Sequence, residues 1–155
     1  MRRITTIYDR ATGFLSGRFF ESLALLLTRL ALAGVFWRSY KTKVVEGTWF
    51  QIGETQYYLF EEFGLPLSPD IMVPVTTYAE FAIPILVGLG IFTRFSAAAL
   101  MGMALVIQLL VFPTSAHFFG WAITIIALAM ILISRGAGIF SFDALVTKVR
   151  SAAKD

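Results

Sequence analysis

Two ionisable side chains lie inside apolar stretches of this 155-residue chain. Arg29 falls within the apolar run at residues 19–36, and Glu80 lies near the middle of VPVTTYAEFAIPILVGLGIFTR, residues 73–94. A charged group at the centre of a bilayer costs from about 2.5 kcal/mol upward, and such groups are often functional. The pair therefore predicts either a structural contact within a membrane or a proton or ligand site.

The sequence leaves several roles open for these two residues. Each is predicted to lie about 14 Å deep in its span, so antiparallel neighbouring helices could bring Arg29 and Glu80 together as an ion pair that fixes helix register. Alternatively, burial keeps Glu80 protonated, and it donates to a carbonyl or to Tyr78. In the catalytic hypothesis Glu80 takes a proton from a quinol, while Arg29 or Tyr78 polarises a quinone carbonyl.

A second group of residues is predicted in the outer half of the same bundle and could bind a ligand: Arg38, Lys41, Gln108, His117 and Trp121. They could ring a polar mouth that leads toward Glu80. Each also has an ordinary role, namely interhelical hydrogen bonding for the glutamine, interfacial anchoring for the histidine and tryptophan, and snorkelling for the two cations.

Composition excludes several classes of cofactor. The chain has no cysteine, so disulfides, cysteine-ligated iron–sulfur clusters and cysteine zinc sites are excluded. One histidine cannot supply two axial haem ligands, and the five methionines show no placement that suggests a histidine–methionine pair. We expect no metal site and no evident cofactor, with quinone as the lipophilic ligand to consider. Metal handling through His117 and the methionines is the weakest hypothesis.

The elements that position these residues are membrane-spanning helices. Hydrophobic residues make up 57% of the chain and charged residues only 15%, which is typical of an integral membrane protein. Four apolar runs approach the ~20 residues needed to cross a ~30 Å hydrocarbon core. We predict an all-α fold, a single-domain membrane four-helix bundle whose spans cover residues 19–36, 71–92, 95–112 and 117–134.

The distribution of Lys and Arg predicts the orientation. Nine of these residues are expected on the side that carries both termini, and three lie at the outer end of the first span. The positive-inside rule therefore places both termini in the cytoplasm. The net charge of +3 is small, and the basic residues flank the apolar runs, so a nucleic-acid partner is not expected.

Two segments outside the spans are also patterned. The outer segment, residues 41–70, contains a stretch at 46–70 that is rich in aromatic residues and acids, with a short amphipathic helix predicted at residues 56–63. It is either an interfacial cap or a docking surface for a periplasmic protein. Residues 138–155 alternate apolar and basic positions, which predicts an amphipathic helix on the anionic cytoplasmic leaflet.

Three stretches together resemble the DoxX family of small four-helix bacterial inner-membrane proteins, over roughly residues 23–133: LLLTRLALAGVFWRSYKTK, YYLFEEFGLPLSP and AEFAIPILVGLGIFTRFSAAALMGMALV. The family-typical polar positions are Arg29, Lys41 (with Lys43), Glu80 and Arg94, and none has an assigned catalytic role. The family name comes from a membrane subunit of a thiosulfate-oxidising quinone reductase.

Other relatives accompany oxidative-stress complexes or small exported metal-binding peptides. The resemblance implies an inner-membrane subunit or anchor of a redox or stress-related complex that is not an enzyme alone. A quinone-linked oxidoreductase role, a role in handling metals or metal-binding peptides, and homo-oligomerisation stay open as alternatives.

Overall fold

Four long apolar helices dominate the computed structural model, which describes residues 12–14 and 16–153. In chain order, these helices and two shorter ones are α1 (Arg18–Lys43), α2 (Thr55–Glu62), α3 (Pro69–Leu89), α4 (Thr93–Val106), α5 (Ser115–Arg135) and α6 (Phe142–Ala152). α4 continues as a π-helical turn through Ile107–Val111, and α5 includes a second such turn at Phe118–Ala122. The predicted all-α four-helix fold is confirmed.

The four long helices have the length and composition to cross a membrane. At most 28% of each apolar stretch is buried inside the protein, so most of its residues are at least partly exposed. The first helix is longer than predicted, because it continues to Lys43 instead of ending near Phe36. Residues in its last turns contact neighbouring elements: Lys43 pairs with Glu80 of α3, and Tyr40 bonds to Trp49 in the segment that follows α1.

Neighbouring helices are antiparallel and pack through small and branched side chains. α1 contacts α3 and α5, and α4 contacts the same two helices. The start of α1 lies beside the end of α5, where Arg135 donates to Glu21 at 3.0 Å. We call this the termini side of the bundle and the opposite side, where α1 ends, the loop side. The buried centre consists mainly of alanines and leucines: Leu32, Ala97, Leu100, Ala104, Ala129 and Leu132.

The segment after α1 is fixed to the bundle on the loop side. Val44 and Ile52 form an antiparallel bridge, which folds the chain back at the end of α1. The Tyr40 hydroxyl donates to the carbonyl of Trp49, and the aromatic cluster around these residues joins the segment to α1 and α3. α2 begins one residue before its predicted start and packs against α3.

On the termini side, α3 ends at Gly90, whose left-handed backbone (φ 74°) suits glycine. The chain after α5 passes this end and leads into α6, whose N-cap residue Ser141 accepts a hydrogen bond from the Ala144 amide through its hydroxyl. The amphipathic helix predicted in residues 138–155 is thus present as α6. The basic residues Arg2, Arg3, Arg10 and Lys154, which entered the predicted orientation, lie outside the described residues.

Candidate functional site

A buried ion pair joins α1 to α3 on the loop side. Lys43 Nζ lies 2.5 Å from Glu80 Oε2, and the Glu80 side chain is only 2% exposed, against 12% for Lys43. Lys43 Nζ also lies 3.2 Å from the Ser39 hydroxyl, one turn earlier on the same helix. Because Lys43 is the last residue of α1, the pair fixes the point at which the loop-side segment leaves the bundle.

The surroundings of this pair are aromatic on one side and polar on the other. The Phe81 ring lies 5.1 Å from Tyr40 and 5.4 Å from Phe50, measured between ring centroids. Thr77, one turn before Glu80 on the same face of α3, is fully buried. Its hydroxyl is one of two buried side-chain polar atoms without a hydrogen-bond partner among the described residues. The site therefore offers a carboxylate, an ammonium and one unsatisfied hydroxyl.

Arg29 belongs to a separate cluster on the termini side. Its side chain is fully buried, Nη1 donates to the Gly88 carbonyl at 3.1 Å, and Nη2 donates to the Phe140 carbonyl. Its Nε is the second buried polar atom without a partner in the described part of the chain. The guanidinium thereby links α1, the end of α3 and the segment before α6. It occupies space next to Gly90 that a larger side chain at that position would fill.

Asp143 completes this cluster from α6. Its carboxylate accepts from the amides of Phe92 and Thr93, each at 2.9 Å, and from the Thr93 hydroxyl at 2.9 Å. These are free donors at the start of α4, so Asp143 caps that helix from a distant part of the sequence. Its own amide donates to the Gly90 carbonyl at 3.0 Å. The carboxylate also attracts the Arg29 cation electrostatically.

Arg29 and Glu80 are not brought together. Arg29 bonds to Gly88, whereas Glu80 bonds to Lys43, and eight residues of α3 separate Glu80 from Gly88, or about 12 Å along the helix axis. The expectation of equal depth counted about ten residues into the first span for Arg29 and about nine into the second span for Glu80, with the two spans taken to overlap fully. Because α1 continues to Lys43, its register against α3 places Arg29 near the opposite end of the bundle.

Lys43, the partner of Glu80, was not among the predicted site residues. It lies on the same helical stripe as Arg29, Phe36 and Tyr40, since these positions are spaced by seven, four and three residues. That spacing was visible in the sequence, but residues from 41 onward were assigned to the outer segment. Tyr78, a further candidate, faces the loop, where its hydroxyl donates to the Phe50 carbonyl at 3.3 Å.

Part of the predicted polar mouth is assembled. His117 Nδ1 lies 2.6 Å from the Gln108 side-chain oxygen, and the His117 and Trp121 rings are 5.1 Å apart. The π-helical turns place these residues side by side on the loop side. Lys41 instead lies over the ring of Trp49, and Arg38 is exposed.

Two remaining predictions concern metal binding and Arg94. Within residues 12–14 and 16–153, no group of three His, Asp or Glu side chains could hold a metal ion. Arg94, the last family-typical position, lies at the start of α4, where its guanidinium donates to the Ser134 carbonyl at 3.4 Å.

Comparison with known proteins identifies the family. The family model described as DoxX matches residues 24–113, which is more than half of the chain, and the matched region includes both Arg29 and the Lys43–Glu80 pair. No curated protein and no solved structure matches. The chain therefore belongs to the DoxX family and is a membrane protein.

Proposed function

We propose that this DoxX-family protein is a membrane subunit that holds a protein partner on its loop side and catalyses no reaction alone. The observation that supports this is a set of exposed large apolar residues on the segment between α1 and α3. We call them the loop-side surface: Val45, Trp49, Phe50, Tyr58, Leu59 and Leu67. Exposed apolar patches rimmed by polar residues mark protein–protein or membrane interaction sites.

The charge of the segment indicates what kind of partner it would accept. Residues 44–70 contain five acids and no Lys or Arg, the acids being Glu46, Glu54, Glu61, Glu62 and Asp70. Tyrosine and tryptophan are favoured anchors of protein interfaces, and the surrounding acids complement a basic rim. We therefore expect a partner that presents apolar side chains with Lys or Arg around them. If both termini are cytoplasmic as predicted, that partner is periplasmic.

In this proposal the Lys43–Glu80 pair positions the surface. The pair joins the last residue of α1 to α3. The Tyr40–Trp49 hydrogen bond and the Val44–Ile52 bridge lie next to it and hold the segment after α1. A surface that is ordered before binding loses less conformational entropy when a partner binds, which favours affinity. The buried ions thus serve geometry and not proton transfer.

The test is affinity purification of the tagged protein from its native membranes with quantitative mass spectrometry of copurifying proteins. Trp49→Ala combined with Tyr58→Ala should reduce the partner by at least about tenfold, since aromatic anchors commonly contribute 2 kcal/mol or more each. The matched control, Leu27→Ala with Leu109→Ala, also removes two exposed apolar side chains, but within the spans, and should retain the partner.

Glu80→Gln should also retain the partner, because the amide oxygen can still accept from Lys43. Equal partner recovery from the loop-side variant and the wild type would contradict the proposal. Loss of the partner from the span variant as well would show that general destabilisation, and not the loop-side surface, governs recovery.

A quinone-binding role at Glu80 is the second candidate. It is favoured by the unpartnered Thr77 hydroxyl next to a buried carboxylate. Its fit is poor in this conformation, because Glu80 is enclosed and bonded to Lys43, so a quinone carbonyl could reach it only after Lys43 moved. Quinol-linked turnover that persists in a folded Glu80→Gln variant would end this alternative, whereas copurification of a quinone without a protein partner would favour it over the first.

A further inference from the structure

Two adjoining grooves on the termini side are not used by the proposed partner surface. The first has a volume of about 590 Å³ and lies between the start of α4, the segment at residues 136–141 and α6. Arg94 and Lys148 line it, together with the Thr93 and Thr147 side chains. The groove lies at the start of α4, where the third span begins. The start of a span corresponds to the depth of the lipid headgroups.

Two basic side chains and one acidic side chain line this first groove. Asp143 also lines it, but its carboxylate already accepts three hydrogen bonds from Phe92 and Thr93 at the start of α4. Among the residues that the structure describes, Arg94 donates one long hydrogen bond, to a main-chain carbonyl. The groove therefore retains two basic side chains whose charge can interact with an anion.

The second groove is apolar and continues from the first. It has a volume of about 480 Å³, runs between α3 and α4, and is lined by Ile83, Leu86, Phe92, Phe95, Ser96 and Ala99. Phe92 and Phe95 line both grooves, so one molecule could occupy the two together. The second groove lies along two apolar spans, where a hydrocarbon chain is the expected neighbour.

We infer that the two grooves form one binding site for an anionic phospholipid. Arg94 and Lys148 contact the phosphate, and one acyl chain lies along the groove formed by Ile83, Leu86 and Ala99. A basic pocket at the end of a span, joined to an apolar channel, matches both parts of such a lipid. A free phosphate would use only the first groove. The site is independent of the loop-side surface, since it lies at the opposite end of the bundle.

The experiment is native mass spectrometry of the purified full-length protein after equilibration in mixed micelles of phosphatidylglycerol and phosphatidylcholine with identical acyl chains. The wild type should retain phosphatidylglycerol preferentially. Arg94→Gln and Lys148→Gln should each lower that preference by about fivefold, because a basic residue at the membrane surface contributes about this factor. The matched control is Arg150→Gln, which removes the same charge from α6 outside the groove.

Two further measurements separate a lipid from its headgroup alone and from misfolding. Ala99→Phe, which fills the apolar groove, should lower retention of phosphatidylglycerol, and soluble glycerophosphoglycerol should not displace the lipid. Circular dichroism of each variant checks that the helices are intact. Equal retention of the two lipids by the wild type, equal effects of Lys148→Gln and Arg150→Gln, or displacement by the soluble headgroup would each overturn the inference.

Discussion

Replacing Lys43 by methionine tests the ion pair that connects α1 to α3. At 2.5 Å and an effective dielectric constant of 20, the gross attraction between Lys43 and Glu80 is about 7 kcal/mol, and desolvation of the two ions offsets much of it. Removing one partner leaves the other charge buried, which costs about 3–5 kcal/mol. Because Glu80 is 2% exposed, Lys43→Met should lower the free energy of unfolding by an amount in that range.

The reciprocal change should be milder. In Glu80→Gln the amide oxygen can still accept from Lys43, and the 12% exposed ammonium can extend toward water on its flexible stem, so we expect a loss of about 1–2 kcal/mol. The double variant should cost less than the sum of the two single variants, because the second change removes the charge that the first left unpaired.

The assay is reversible unfolding by sodium dodecyl sulfate in mixed micelles, followed by far-ultraviolet circular dichroism. Lys41→Met is the matched control, since Lys41 is exposed and its contact is with the Trp49 ring; its loss should cost about 1 kcal/mol or less. If Lys43→Met and Lys41→Met have the same effect, or if the losses in the double variant simply add, the argument for a buried, coupled pair is wrong.

Three other predictions concern the termini side. Gly90→Ala should lower the free energy of unfolding by about 2–5 kcal/mol, because its backbone is left-handed and an added Cβ would overlap the buried guanidinium, whereas Gly88→Ala should be tolerated. Asp143→Ala should cost about 1–2 kcal/mol by removing the cap of α4, and Thr147→Ala on the same helix should cost less; unfolding in mixed micelles measures both pairs. The chain has no cysteine, so a nitroxide can be attached at a single introduced cysteine. If α6 lies on the leaflet, a nitroxide at Val149→Cys should be accessible to oxygen dissolved in the bilayer. A nitroxide at Thr147→Cys should instead be accessible to a water-soluble nickel complex. Equal accessibility of the two labels to both reagents would contradict that placement.

The general fold could be predicted because lipid imposes a simple length and hydropathy rule on spans. The ends of the helices were harder to predict, because polar residues can continue a helix wherever a neighbouring element contacts them. α1 illustrates this: the residues after Phe36 are mostly polar, but the helix extends to Lys43, where Glu80 provides an opposite charge. Because Lys43, the last residue of α1, pairs with Glu80, Arg29 lies beside Gly88 and not beside Glu80.

The cluster around Arg29 depended on contacts that the sequence does not encode locally. Arg29 bonds to the carbonyl of Phe140, more than a hundred residues away, and Asp143 caps α4 from the same distant segment. Main-chain carbonyls and amides are present at every position, so no residue type identifies these partners beforehand. The Gln108–His117 contact was partly predictable, because both polar residues were expected near the same end of two consecutive spans.

The central claim, a protein partner held on the loop-side surface, is tested most directly by site-specific photo-crosslinking in native membranes. A benzophenone amino acid in place of Tyr58, which is 72% exposed on α2, should give one discrete protein adduct that mass spectrometry identifies. The same group in place of Leu109, which is 68% exposed on a span, should give no such adduct. Protein adducts that are absent from both positions, or identical at both, would contradict the account.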